Sequence, residues 1–193
     1  MKHIAITGGI GSGKSFVCRQ LARRGIWVYN CDIAAGWLIR ESPPIRQALA
    51  DLVGSQLYAD GEFHKEVLSE FILSSDAAKK AVNEIVHPAV AQDFLDSGLE
   101  WLESAILFES NFHQRLHFDH IVCVTAPLDL RLRRIIGRDG LTSEKALEWI
   151  RCQMPQEEIL KRSHFEIVND EAADLDAQID TLLATINNPT PNN

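Results

Sequence analysis

Hydrophobic and polar positions along this chain follow two periods. HIAIT (His3 to Thr7) is a short apolar, β-branched run closed by glycines, the pattern of a buried strand. In KSFVCRQLARRG the apolar positions Phe16, Val17, Leu21 and Ala22 recur at helical spacing, and Gly25 stands where a helix stops. IWVYNCD (Ile26 to Asp32) then reads as a second strand ending in Asp32. Strand, helix and strand within roughly thirty residues make a βαβ unit, hence a parallel sheet with right-handed crossovers. SAILFE (Ser104 to Glu109), HIVCVTAP (His120 to Pro127) and FEIVND (Phe165 to Asp170) complete a predicted set of five strands.

Between the second and third strands, Ile33 to Gly98 shows helical periodicity and no convincing strand. A plain crossover needs only about a dozen residues, so this stretch predicts a helical subdomain. Its clearest part, KKAVNEIVHPAVAQDFL, contains Pro88, which should kink a helix or start a new one. A second insertion runs from Leu128 to Ser163, and DLDAQIDTLLATI closes the fold as a helix before a frayed tail. The expected plan is a core over 1–32, 99–127 and 164–187, a helical subdomain over 33–98, an insertion over 128–163 and a flexible tail over 188–193.

Charge changes the picture of the second insertion. The chain of 193 residues carries a net charge of −8, which disfavours nucleic acid and anionic membranes as partners. Residues 128–163 nevertheless hold eight basic against six acidic residues, a local +2, which leaves −10 for the rest. Arg131, Arg134 and Arg138 fall at i, i+3 and i+7, on one helical face with no acidic residue between them. Such a face is either solvated or a lid that brings guanidinium groups over a phosphate. The four cysteines (Cys18, Cys31, Cys123, Cys152) are scattered and never form C-x-x-C, as suits buried, reduced thiols. With no apolar run near the ~18 residues a bilayer demands, and no room for a leader before the first strand, the cytoplasm is the expected location.

Gly8-x-x-x-x-Gly13-Lys14-Ser15 matches the P-loop pattern between a predicted strand and a predicted helix. Glycines let the backbone wrap an anion and turn successive N–H groups inward, and the helix start adds unpaired donors. Residues Gly9, Ile10, Gly11, Ser12, Gly13, Lys14, Ser15 and Phe16 are therefore the expected ATP cradle. In it Lys14 reaches the outer phosphates and the Ser15 hydroxyl ligates Mg²⁺. Asp32 either caps a following helix or acts on an attacking hydroxyl; Glu109 either caps an element or orients a metal-bound water. His113, His117 and His120 do not make a zinc face, because His120 opens a strand.

No guanine-reading N/T-K-x-D sequence is present, and the short core with two insertions is the plan of a small-molecule kinase. On ITGGIGSGKS, CD at 31–32, HP at 87–88, ILFE at 106–109, RIIGRDGLT at 134–142, Gln153 and IVN at 167–169, the chain resembles the dephospho-coenzyme A kinase family. The resemblance implies a P-loop α/β fold with a five-stranded parallel sheet, a helical acceptor-binding insertion and an Arg-rich lid. It implies Mg²⁺-dependent transfer of the ATP γ-phosphate to the ribose 3′-hydroxyl of dephospho-CoA, with no protein partner evident. It also implies Asp32, Lys14 and Arg138 as catalytic, Arg134 and Arg138 as ATP contacts, and Asp32, His87, Pro88, Leu107, Phe108 and Glu109 as acceptor contacts. A kinase of another small acceptor, such as a nucleoside monophosphate, is the nearest alternative, and a P-loop regulatory module the next. Phe16, His64-Lys65, Trp149 and Ser163-His164 depart from the family pattern without touching the phosphate machinery.

Overall fold

A computed structural model describes residues 2–187, and the predicted tail at 188–193 lies outside them. β1 (Ile4–Thr7) leads through a glycine loop into α1 (Lys14–Arg23), and the chain returns in β2 (Val28–Asn30). Four helices follow: α2 (Cys31–Glu41), α3 (Pro43–Val53), α4 (Lys65–Ser74) and α5 (Asp76–Ser97), with a 3₁₀ segment at Ser55–Gly61. Then come β3 (Trp101–Glu103), α6 (Phe112–Arg115), β4 (His120–Thr125), α7 (Leu128–Asp139), α8 (Ser143–Arg151), α9 (Gln156–Lys161), β5 (Phe165–Val168) and α10 (Leu175–Asn187). The sheet has the order β2-β3-β1-β4-β5. β1 pairs in parallel with β3 and with β4, and β4 pairs in parallel with β5. The strand order switches sides at β1, with β2 and β3 to one side and β4 and β5 to the other, so the loop after β1 opens at the switch point where ligands of such sheets bind.

The chain divides into two compact units, 1–29 with 99–193, and 30–98. In the first, Ile4, Ile6, Val122, Val124 and Ile167 from the sheet pack with Val17 and Leu21 of α1 and Ile179, Leu182 and Ile186 of α10. Apolar burial on both faces explains why these strands read as continuous hydrophobic runs. In the second unit, α2, α3 and α4 each pack against α5, which buries Val82, Val86, Val90 and Phe94.

Three sequence expectations change. The second strand is only three residues long, because Asn30 caps a helix: its side chain accepts the Ile33 amide at 2.9 Å. Cys31 and Asp32 therefore open α2, and Asp32 lies in its first turn instead of ending a strand or serving as its cap. The third strand is Trp101–Glu103, not Ser104 to Glu109. Gly98 stops α5 in a left-handed conformation, and the extended residues just after it pair at once, Trp101 with Ile4 and Leu102 with Ala5. The apolar run at 105–110 forms turns closed by bonds such as Phe112 N to Leu107 O at 3.1 Å. Periodicity alone cannot separate a buried strand from a buried turn of that length. Pro88 sits inside an uninterrupted 22-residue α5 and starts no new helix.

Candidate active site

The loop between β1 and α1 is shaped by glycines at two positions above all. Gly13 caps α1 with φ +94°, and a Cβ there would run into the Asn169 side chain. Gly11 has φ +79°, and its Cβ would stand 2.7 Å from the Arg131 carbonyl. L-residues resist such φ values, and the space is already filled, so both constraints select glycine. No side chain caps the start of α1, and its first turn holds no acidic residue. Its positive end thus remains suited to an external anion.

Side chains grip the loop from several sides. Lys14, 8% exposed, donates to Gly8 O at 2.8 Å and Gly9 O at 3.4 Å. Arg131 is buried against the loop, and its Nε donates to Ile10 O at 2.9 Å. Burial of this guanidinium lowers its pKa from the ordinary arginine value. Arg134 donates to Gly11 O and Ser12 O, both at 3.3 Å, and to Asn169 O at 3.1 Å. Asn169 Nδ2 adds a bond to Ser12 O at 2.9 Å. From beyond α8, Gln153 Oε1 accepts the Ile10 amide at 2.6 Å, and Met154 N donates to Glu109 Oε1 at 2.9 Å. Among the described residues Ser12 Oγ, fully buried, has no hydrogen-bond partner.

Of the predicted residues, the structure brings Gly9 to Phe16 together with Arg134. Arg131 lies beneath the loop, not on an open face with Arg134 and Arg138. Arg138 instead binds its neighbour Asp139 through Nε at 2.9 Å and Nη2 at 2.8 Å, an ion pair that raises the arginine pKa and lowers that of the carboxylate. Ser15 and Phe16 are exposed at the helix start. Leu107 and Phe108 are buried, Phe108 beneath the Arg162 guanidinium at 5.7 Å, so they pack instead of lining an open surface. Asp32 is exposed in α2, and His87 and Pro88 lie on α5, all within the helical unit.

One buried residue, Glu103, escapes the sequence patterns, and two that carry the family resemblance, Gln153 and Asn169, take a role that those patterns do not give. Glu103 ends β3, next to the loop strand, with its side chain buried. Its charge, after burial itself, helps push the Cys18 thiol up to about 12. The signal was available as a carboxylate closing the apolar pair Trp101-Leu102, and the displaced strand boundary hid it. The grip of Gln153 and Asn169 on the loop has no spacing signature, since both arrive from segments more than a hundred residues away.

Similar proteins place this geometry. The family model described as dephospho-CoA kinase matches residues 2–174. A dephospho-CoA kinase of Bacteroides fragilis is 40% identical over 188 residues, covering 94% of this chain and 91% of that protein. One from Porphyromonas gingivalis is 38% identical over 199 residues, covering 100% and 98%. Among solved structures, TT1252 from Thermus thermophilus superposes with a TM-score of 0.79 at 33% identity, covering 98% of each chain.

Proposed function

The chain belongs to the dephospho-CoA kinase family, and from that premise we propose how its residues move the ATP γ-phosphate to the ribose 3′-hydroxyl of dephospho-CoA, giving CoA and ADP. The observation that carries the reading is the uncapped start of α1 behind a fully formed glycine loop, in a chain matched by the family model over nearly its whole length.

The loop from Gly9 to Phe16 holds the phosphates of ATP through backbone amides other than that of Ile10, which Gln153 already takes, and Lys14 turns from the carbonyls of Gly8 and Gly9 to the outer phosphates. Arg134, already fixed beside the loop, and Arg138 contribute positive charge from the 128–163 segment, which acts as a lid. Asp32, presented by the first turn of α2, accepts or orients the proton of the attacking 3′-hydroxyl. The helical unit 33–98 takes the acceptor, with His87 and Pro88 as contacts, and Glu109 is a further acceptor contact in this reading.

The Ser15 hydroxyl and the Glu103 carboxylate are hard oxygen donors at the loop's helix and at the neighbouring strand end, a chemistry that suits Mg²⁺. Ser15 and Glu103 would hold the ion, which would supply positive charge to offset that of the ATP phosphates. No described helix is long and apolar enough to cross a membrane, and the cysteines are thiols. Thiols suit a reducing compartment, and we place the enzyme in the cytoplasm.

A complex with dephospho-CoA and a non-hydrolysable ATP analogue tests the assignment. Asp32 is expected within ~3 Å of the ribose 3′-oxygen. A nearest carboxylate other than Asp32 would overturn its role.

A further inference from the structure

The helical unit 30–98 carries eleven acidic and five basic residues, a net −6, and its only two arginines line one cavity. That cavity, about 440 Å³, lies between α2, α3 and the 3₁₀ segment, and its wall includes Arg40, Arg46, Gln47, Tyr58 and Gly61. Its size is that of a small-ligand site.

Arg46 is built in. Its guanidinium lies 4.3 Å from the Tyr58 ring centre, and it donates to Arg40 O at 2.6 Å and to Gly61 O at 3.1 Å. Tyr58 is itself fixed through its hydroxyl, which donates to Ile39 O at 2.7 Å. Stacking and two backbone acceptors spend part of the fork and leave further N–H groups for a ligand.

Arg40 is held differently. Its side chain folds back along α2 over Gly36, where an added Cβ would stand 3.4 Å from both Nη atoms. A glycine inside a helix is less favourable than alanine, and here the guanidinium lies over its bare backbone. Glu41 also borders the cavity, yet among the described residues neither arginine has a carboxylate within ion-pair distance. Two uncompensated guanidinium groups around one cavity, in an otherwise acidic unit, make an anion seat.

Asp32, Gly36 and Arg40 fall at i, i+4 and i+8, on one face of α2. The seat is thus ~12 Å along the helix from Asp32, less the backward lean of the Arg40 side chain. Resting on the function proposed above, we propose that this cavity binds the diphosphate of dephospho-CoA, with Arg40 as its specificity-determining contact and Arg46 as its fixed wall. Arg40 then reads the charged bridge of the acceptor, one face with the residue that acts on its ribose.

The test is calorimetric titration of the full chain with dephospho-CoA and, separately, with ATP. Arg40→Gln should raise the dephospho-CoA Kd at least tenfold while the ATP Kd stays within twofold. Arg40→Lys should fall between, because a point charge replaces a fork. Gly36→Leu, which displaces the guanidinium and leaves its charge, should match Arg40→Gln if its melting temperature is retained. A dephospho-CoA Kd unchanged in Arg40→Gln overturns the seat and leaves the kinase reading standing. Failure of the wild-type chain to bind or phosphorylate dephospho-CoA overturns both.

Discussion

Gln153 takes the Ile10 amide of the phosphate loop at 2.6 Å, while Arg131 holds the carbonyl of the same residue at 2.9 Å. Both backbone polar groups of one loop residue, in two successive peptides, are therefore fixed by side chains from the 128–163 segment. That segment is tied to the shape of the loop as well as supplying charge. Gln153→Met keeps the length and removes the acceptor. One hydrogen bond is worth ~1 kcal/mol, so the KM for ATP should rise about fivefold. Amide exchange over Gly8 to Phe16 should quicken in the same variant. An unchanged KM with unchanged exchange would remove Gln153 from the loop's support.

Asp32 is exposed and does not cap its own helix, a task that Asn30 performs. The substitution Asp32→Asn should therefore leave folding and ATP affinity intact while lowering turnover by about two orders of magnitude or more. Steady-state kinetics beside ATP titration separates the two effects. Turnover near that of wild type would take Asp32 out of the mechanism.

At the opposite strand ends, burial and the neighbouring His164, 6.1 Å away between ring centres, hold the His120 pKa below the ordinary histidine value. A base with a depressed folded pKa favours the fold fully above pH ~6.5 and loses that contribution as pH falls through its folded pKa. Asp119, whose pKa is lowered mainly by the His3 amide, keeps its contribution until pH falls below the carboxylate range. Melting should therefore drop between pH 7.5 and pH 5, and His120→Gln should reduce that drop by ~2 °C. An equal drop in the variant would locate the sensitivity elsewhere.

Among the cysteines, burial first of all pushes the thiols of Cys18 and Cys123 up to about 12, Cys31 is buried, and Cys152 is exposed. Thiolate is the reactive species. A thiol reagent at pH 8 should label one residue quickly, Cys152 by peptide mapping, and the other three only on unfolding. Fast labelling of Cys18 would contradict its packed environment beside Glu103.

The parallel sheet was legible because each strand buried on both faces leaves an unbroken apolar run, as in HIAIT and HIVCV. The loop was legible because its glycines, lysine and serine are adjacent in sequence. Boundaries failed where a local bond outweighed periodicity: Asn30 turned the end of the second strand into a helix, and Gly98 let pairing begin at Trp101. Pro88 was absorbed by a long helix packed along three others. Arg131 went astray because helical spacing names a face but not what covers it; the loop covers this one. Gln153 and Asn169 meet the loop only through the fold.

The central claim is that this chain phosphorylates dephospho-CoA, and a coupled assay of ADP release tests it most directly. The account predicts Mg²⁺-dependent ADP release that requires dephospho-CoA and far exceeds that seen with adenosine or nucleoside monophosphates. Release no greater with dephospho-CoA than with those acceptors, or release that needs no acceptor, would contradict it.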